Sequence, residues 1–380
     1  MVKTVCRQDQ CVGCMACVDL CPQKAISLVD TCLAYNAVID PDKCIDCGIC
    51  TKVCQNHNQM HLVHPKSWYQ GWIKEEALRR RSSSGGAAKA LSRKFVQLGG
   101  VVISCCLEKG VFCFRKAEHL EELEQFTGSK YVKSNPRGVY RTIQKSLRRG
   151  KKVLFIGLPC QVAAVQTVLG KSENLYTVDL ICHGTPSPKL LEDFLALKKI
   201  DLGAVDTIAF RHKGAFGIES TQIPLSQPGS VDNYLLTFLC GLDYTENCYH
   251  CKFAGIERGS DLTIGDSWES DLPQQEQQKG ISLILCQTEK GEALLKQSEM
   301  ELYPVDLEHA IQFNAQLREP TVKTKGHDLF FEKYFAKDFN RATFCCLPYK
   351  CIKQCIKRVL LKMKILKSKE VNFNISISMN

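Results

Sequence analysis

Cys11-Val-Gly-Cys14-Met-Ala-Cys17-Val-Asp-Leu-Cys21-Pro22 is answered 33 residues later by Cys44-Ile-Asp-Cys47-Gly-Ile-Cys50-Thr-Lys-Val-Cys54. Three thiolates so closely spaced wrap one corner of an iron–sulfur cubane. The fourth cannot reach the same cubane without strain, so it ligates the other one. Two [4Fe–4S] clusters follow, one on Cys11, Cys14, Cys17 and Cys54, the other on Cys44, Cys47, Cys50 and Cys21. Gly13 and Gly48 relax the tight loops, where a side chain would strain the backbone. Zinc on C-x2-C pairs leaves the duplicated order of eight cysteines unexplained.

The spacing is similar to that of bacterial two-cluster ferredoxins, with one departure: Gln55 stands where a second proline is expected. Residues 25–29 and 35–39, between the two motifs, read as a short hairpin. Cys6 and Cys32 fall outside the pattern and read as small buried hydrophobes.

Of the 23 cysteines, ten lie between Cys6 and Cys54, which points to metal rather than a secreted disulfide scaffold. At 380 residues, 44% hydrophobic and 24% charged, the chain has enough material for two or three packed domains and is neither disordered nor fibrous. Met1 to Gln10 is polar and lacks the apolar stretch of a signal peptide, and no apolar run is long enough to span a bilayer. The expected location is therefore cytoplasmic. The formal charge of +10 is concentrated at the end, where eight cations from Lys350 to Lys369 face Glu370 alone. No basic stripe with interleaved aromatics occurs in the body, so nucleic acid is not an expected partner.

Four segments result: a cysteine-rich head over 1–62, a connector over 63–80, an α/β body over 81–340 and a basic tail over 341–380. In the body, apolar strand-like runs at 101–105, 152–156 and 175–182 each lead into or out of a helical stretch (87–98, 161–169, 189–198), a plan that suggests parallel pairing. The fold class expected is an α+β ferredoxin-like dicluster head fused to an α/β body with a largely parallel or mixed sheet.

The body resembles the beta subunit family of coenzyme F420-reducing hydrogenase and dehydrogenase, in the version fused to a dicluster head. The matching pieces are Arg81-Ser-Ser-Ser-Gly-Gly86, Gly128-Ser-Lys-Tyr-Val132, Gly157-Leu-Pro-Cys-Gln161, Cys182-His-Gly184, Phe210-Arg-His-Lys213 and Cys248-Tyr-His-Cys251, then Arg258, Asp261 and Gly265-Asp266. Ser260 and Glu269 depart from the family pattern, where alanine and glycine are usual, at the presumed rim of the site. The resemblance implies FAD and iron–sulfur clusters that move electrons between a one-electron carrier and a two-electron acceptor.

Ser84, Gly85 and Gly86 open a helix, where free N–H groups and the dipole favour an anion; an ordinary helix cap is the alternative. The resemblance turns this toward the flavin pyrophosphate, with Ser129, Lys130 and Tyr131 alongside. Cys160 and Cys182 each follow an apolar strand, on the sheet edge where ligands bind. With Cys248 and Cys251 they form a candidate third [4Fe–4S] site; buried apolar cysteines or zinc are the alternatives. Arg211, His212 and Lys213 form a basic triplet. His212 and Lys213 are candidate catalytic residues for a proton or an anionic substrate, and Asp266 a third; a solvated loop explains the triplet equally well.

The function expected is electron transfer from ferredoxin or another low-potential carrier, through the clusters to FAD, and on to a small organic acceptor. That acceptor is coenzyme F420 or a polysaccharide- or sugar-related compound. The alternative is a non-catalytic electron-transfer subunit of a larger hydrogenase or dehydrogenase. In the tail, Ile352, Ile356, Val359 and Met363 recur at helical spacing between lysines. A solvated terminal helix is the first reading of this pattern, and peripheral contact with an anionic membrane or an acidic partner the second.

Overall fold

The computed structural model describes residues 2–366 apart from Gly214, residues 221–224 and the side chain of His212. In chain order its strands are β1 (Ile26–Asp30), β2 (Tyr35–Ile39), β3 (Ser67–Ile73), β4 (Val101–Glu108), β5 (Val111–Ala117), β6 (Val153–Gly157), β7 (Leu175–Leu180), β8 (Ala209–His212), β9 (Ala215–Glu219), β10 (Leu262–Asp266), β11 (Ser282–Cys286) and β12 (Met300–Tyr303). Eight of them form one mixed sheet in the order β12-β3-β11-β10-β7-β6-β4-β5. The four central strands β4, β6, β7 and β10 run parallel, and antiparallel strands close both sides.

The parallel centre follows from the sequence. Val153-Leu-Phe-Ile-Gly157 is apolar throughout and buried at every position, as a strand covered on both faces must be. Successive residues face opposite sides. Val102, Leu154 and Val178 meet Leu91 and Phe95 of the Ala87–Gln97 helix on one face. Val101, Ile103, Val153 and Phe155 meet Tyr140, Ile143 and Val162 on the other. Cys14 and Ala16 join that second core, so the head is seated on the sheet's own helical layer.

The connector expectation meets a difference. Ser67–Ile73 is β3, a strand of the main sheet between β11 and β12. Its aromatic side chains suit a strand, and Gly71 lets the next backbone approach: a Cβ there would lie 2.0 Å from the carbonyl oxygen of Glu301. The chain therefore enters the sheet before residue 81.

Candidate functional site

In the head, Gly13 and Gly48 adopt left-handed turns at φ of +71° and +70°, and a Cβ on Gly13 would collide with the Tyr35 ring at 2.4 Å. The turns launch two short helices, Ala16–Leu20 and Ile49–Lys52. These bring Cys54, from the second motif, into the electrostatic neighbourhood of Cys14 and Cys17 from the first. The spacing assigns Cys54 to the first set; Cys50, also of the second motif, acts on Cys17 as well. Cys21, Cys44 and Cys50 pack against the same small core. Cys6 lies against Cys11 and Cys54 and is buried with them.

The two sets differ in exposure. Cys11, Cys14, Cys17 and Cys54 are buried, whereas Cys21, Cys44 and Cys50 are half-buried and Cys47 is exposed. One end of the head faces solvent and the other faces the body.

The body gathers a second group of thiols. β6 and β7 are parallel neighbours, so their C-terminal ends set Cys160 and Cys182 side by side. Cys248, on the turn Glu246–Cys248, and Cys251 complete the set: Cys160 senses Cys182, Cys248 and Cys251, and Cys182 senses both of the latter. Burial pushes the Cys160 thiol well up and that of Cys182 to about 12. Thr185 and Thr245 hydroxyls lie 3.7 and 3.6 Å from the Cys248 sulfur.

The donor sets fit iron–sulfur cubanes better than single ions. A tetrahedral zinc with sulfur at about 2.3 Å holds its ligands within roughly 4 Å of one another. Among the described residues, no three cysteine sulfurs come within 4.8 Å of one another. Sets of four all-sulfur donors are of the kind that holds a cubane.

Head and body sites meet at one side chain. Gln55 lies at the Cys14 thiol, and its Nε2 donates to the carbonyl oxygen of Cys160 at 2.8 Å. Around it, the Tyr140 hydroxyl donates to the Cys14 carbonyl at 2.5 Å and the Gly138 N–H to the Asp19 carboxylate at 2.5 Å. Lys133 stands at the same junction. It is 4% exposed, lies over the Tyr35 ring at 5.3 Å and donates to Asn247 Oδ1 at 3.2 Å. Cys160 and Cys182 both feel its charge.

The proposed dinucleotide region lies around the start of the Ala87–Gln97 helix. Ser84 Oγ donates to the Ile281 carbonyl, and Ser83 Oγ accepts the Ser129 N–H at 3.1 Å. The glycines there already have a packing reason: a Cβ on Gly85 would meet the Gly71 carbonyl at 2.4 Å, and one on Gly86 the Ile73 side chain at 2.8 Å. Charge, not glycine, makes the spot suited to an anion. Lys130 Nζ donates to the Phe126 and Thr127 carbonyls, and Lys213 Nζ to those of Arg79 and Ser84. Neither ammonium has a carboxylate partner among the described residues, and burial lowers both pKa values, that of Lys213 to about 8. Two half-buried cations without carboxylate partners among the described residues, one of them bonded to the Ser84 carbonyl ahead of the helix N-terminus, suit an anion such as a pyrophosphate.

Asp266 ends β10 and pairs with Arg211 through both oxygens, one at 2.8 Å. Arg211 lies over Trp268 at 4.8 Å and beside Tyr131, whose ring stacks on Phe238 at 4.4 Å. His183, next to Cys182, feels the charges of Asp266 and Arg211, so this pair adjoins the body thiols. The side chain of His212 lies outside the described residues. The family pieces Arg258 and Asp261 have framework contacts: Arg258 donates to the Gly255 and Gln316 carbonyls, and Asp261 accepts from Thr177 and Thr288.

Sequence reasoning missed Lys133, Gln55 as a bridge, and Arg211 as the partner of Asp266. The departure from proline at position 55 was the one available signal.

Residues 150–306 match the family described as the C terminus of the coenzyme F420 hydrogenase/dehydrogenase beta subunit, and residues 10–58 match the 4Fe-4S dicluster domain. Among solved structures, a chain of the F420-reducing NiFe hydrogenase complex from Methanosarcina barkeri, in a xenon-derivatized form, is similar over 73% of this chain and 94% of that one. The identity is 19% and the TM-score 0.45. No curated protein matches the chain.

Proposed function

We propose, for a chain that carries the C-terminal domain of the coenzyme F420 hydrogenase/dehydrogenase beta subunit behind a 4Fe-4S dicluster domain, that it is a flavin-dependent iron–sulfur oxidoreductase. It takes electrons from a low-potential carrier such as ferredoxin and delivers them to a small organic two-electron acceptor. Coenzyme F420 is one such acceptor, named in the family description; a sugar-related compound is the other. The observation that supports this reading is the Gln55 side chain, which lies at the Cys14 thiol and donates to the backbone carbonyl of Cys160, tying together the segments that carry the head and body thiols.

In this reading Cys11, Cys14, Cys17 and Cys54 hold one cluster, Cys44, Cys47, Cys50 and Cys21 a second, and Cys160, Cys182, Cys248 and Cys251 a third. Bound clusters supply one-electron transfer, and bound FAD supplies the exchange between one- and two-electron chemistry. The half-exposed set around Cys47 presents the head to its carrier, while burial of Cys11, Cys14, Cys17 and Cys54 excludes water from the inner head set. Lys130 and Lys213 hold the pyrophosphate, with Ser84, Gly85, Gly86 and Ser129 shaping the backbone around it. Tyr131 walls the site. Arg211 and Asp266 fix each other and orient the floor, so Asp266 acts as a positioning group.

Anaerobic purification followed by iron, sulfide and flavin analysis tests this. About twelve irons and one FAD per chain are expected, falling to about eight irons in Cys160→Ala. Reduction of deazaflavin by the isolated chain with reduced ferredoxin separates an enzyme from an adaptor. A chain without flavin, inert toward acceptors, overturns the proposal.

A further inference from the structure

The Pro348–Lys362 helix buries one side and turns a second apolar side outward. Cys351 and Gln354 are buried, and Gln354 Oε1 accepts the Val231 N–H at 3.0 Å. The carbonyl of Arg358 accepts from Gln227 Nε2 at 3.1 Å. These contacts fix which side of the helix faces the protein. On the other side stand Tyr349, Ile352, Ile356, Val359 and Met363, exposed by 76%, 49%, 56%, 50% and 64%. At 100° per residue the five fall within an arc of roughly 80°. A helix that is only solvated gains nothing from five apolar side chains on one outward face.

The flanks of the stripe are cationic. Lys353 lies on one side and Lys362 on the other, while Lys350 donates to the Cys240 sulfur and the Lys357 ammonium is buried; no acidic residue occurs between Asp338 and Glu370. A second copy laid face to face would set lysine against lysine. An anionic bilayer surface satisfies both parts at once, receiving the apolar stripe between headgroups that pair with the lysines. No described helix is long and apolar enough to cross a membrane, so the contact is one of lying in the interface.

We propose that the Pro348–Lys362 helix docks the chain on an anionic lipid surface, with Tyr349, Ile352, Ile356, Val359 and Met363 inserted between headgroups. The inference is independent of what the cysteine sites carry.

Flotation of the anaerobically purified full-length holoprotein tests it, with vesicles of phosphatidylcholine alone and of phosphatidylcholine mixed with phosphatidylglycerol. The expected result is flotation with the mixed vesicles only, weakened by salt. The double variant Ile352→Asp, Ile356→Asp is expected to lose partitioning by about tenfold or more, with iron content and visible spectrum unchanged, because both positions are outside the core. Three results overturn the proposal. They are no flotation with either vesicle, flotation indifferent to lipid charge or to the double variant, and light scattering that shows a dimer dissolved by the double variant.

Discussion

Gln55 donates a 2.8 Å hydrogen bond from its side-chain amide to the carbonyl oxygen of Cys160, across 105 residues of sequence. The amide is 3% exposed and also touches the Cys14 thiol. The residue that breaks the ferredoxin-like pattern therefore ties the head to the body at Cys160. Proline, the pattern residue, has no donor to offer.

Gln55→Leu keeps the volume and removes the bond. Stability is expected to fall by about 1–2 kcal/mol, since a buried carbonyl loses its donor. Iron content should hold, and reduction of the body by an external carrier should slow. Denaturant melts and stopped-flow reduction check this. Unchanged reduction kinetics would leave Gln55 with a packing role only.

Lys133→Met removes a buried positive charge beside Cys160 and Cys182. A unit charge several ångströms away in a partly screened interior is worth about 2 kcal/mol, which for one electron is on the order of 100 mV. The midpoint potential of the body cluster should fall by that order in an EPR-monitored titration. The outer head set, toward the solvent end of the head, should move little.

Asp266→Asn leaves the Arg211 guanidinium, 7% exposed, facing a neutral amide. Breaking such a pair costs about 3 kcal/mol, and the loss should appear in the urea midpoint together with weaker acceptor binding. Were Asp266 a proton carrier instead, the variant would stay stable and lose only turnover.

Lys213 adds a pH dependence. Its pKa drops from 10.5 to about 8 through burial, then through Arg79 and Arg211, with Glu76 and Asp266 opposing. Between those two values the unfolded chain binds a proton that the folded chain lacks, so Lys213 makes stability rise with pH there. A bound pyrophosphate needs that proton, so FAD affinity of the apoflavin protein should weaken as pH rises above about 8. Lys213→Met should flatten the profile, as fluorescence titration will show.

The parts of the site that were legible are those set by local spacing. The eight head cysteines and their crossover follow from the repeat, and Cys160 and Cys182 could be paired because each ends an apolar parallel strand. The rest depends on contacts between distant segments. Nothing near Arg211 in sequence announces Asp266, 55 residues on. Lys133 lies one residue past a quoted family motif and reads as a surface lysine until the fold buries it. β3 escaped notice because a glycine interrupts its aromatic run. In the tail, helical spacing showed an apolar stripe but could not say which side faces the protein.

The most direct test of the central claim is low-temperature EPR of the dithionite-reduced holoprotein beside Cys160→Ala. Two thiol sets joined through Gln55 predict a spectrum broadened by spin–spin coupling between head and body clusters, which simplifies in the variant. Identical spectra from the two proteins, at equal iron content, would contradict it.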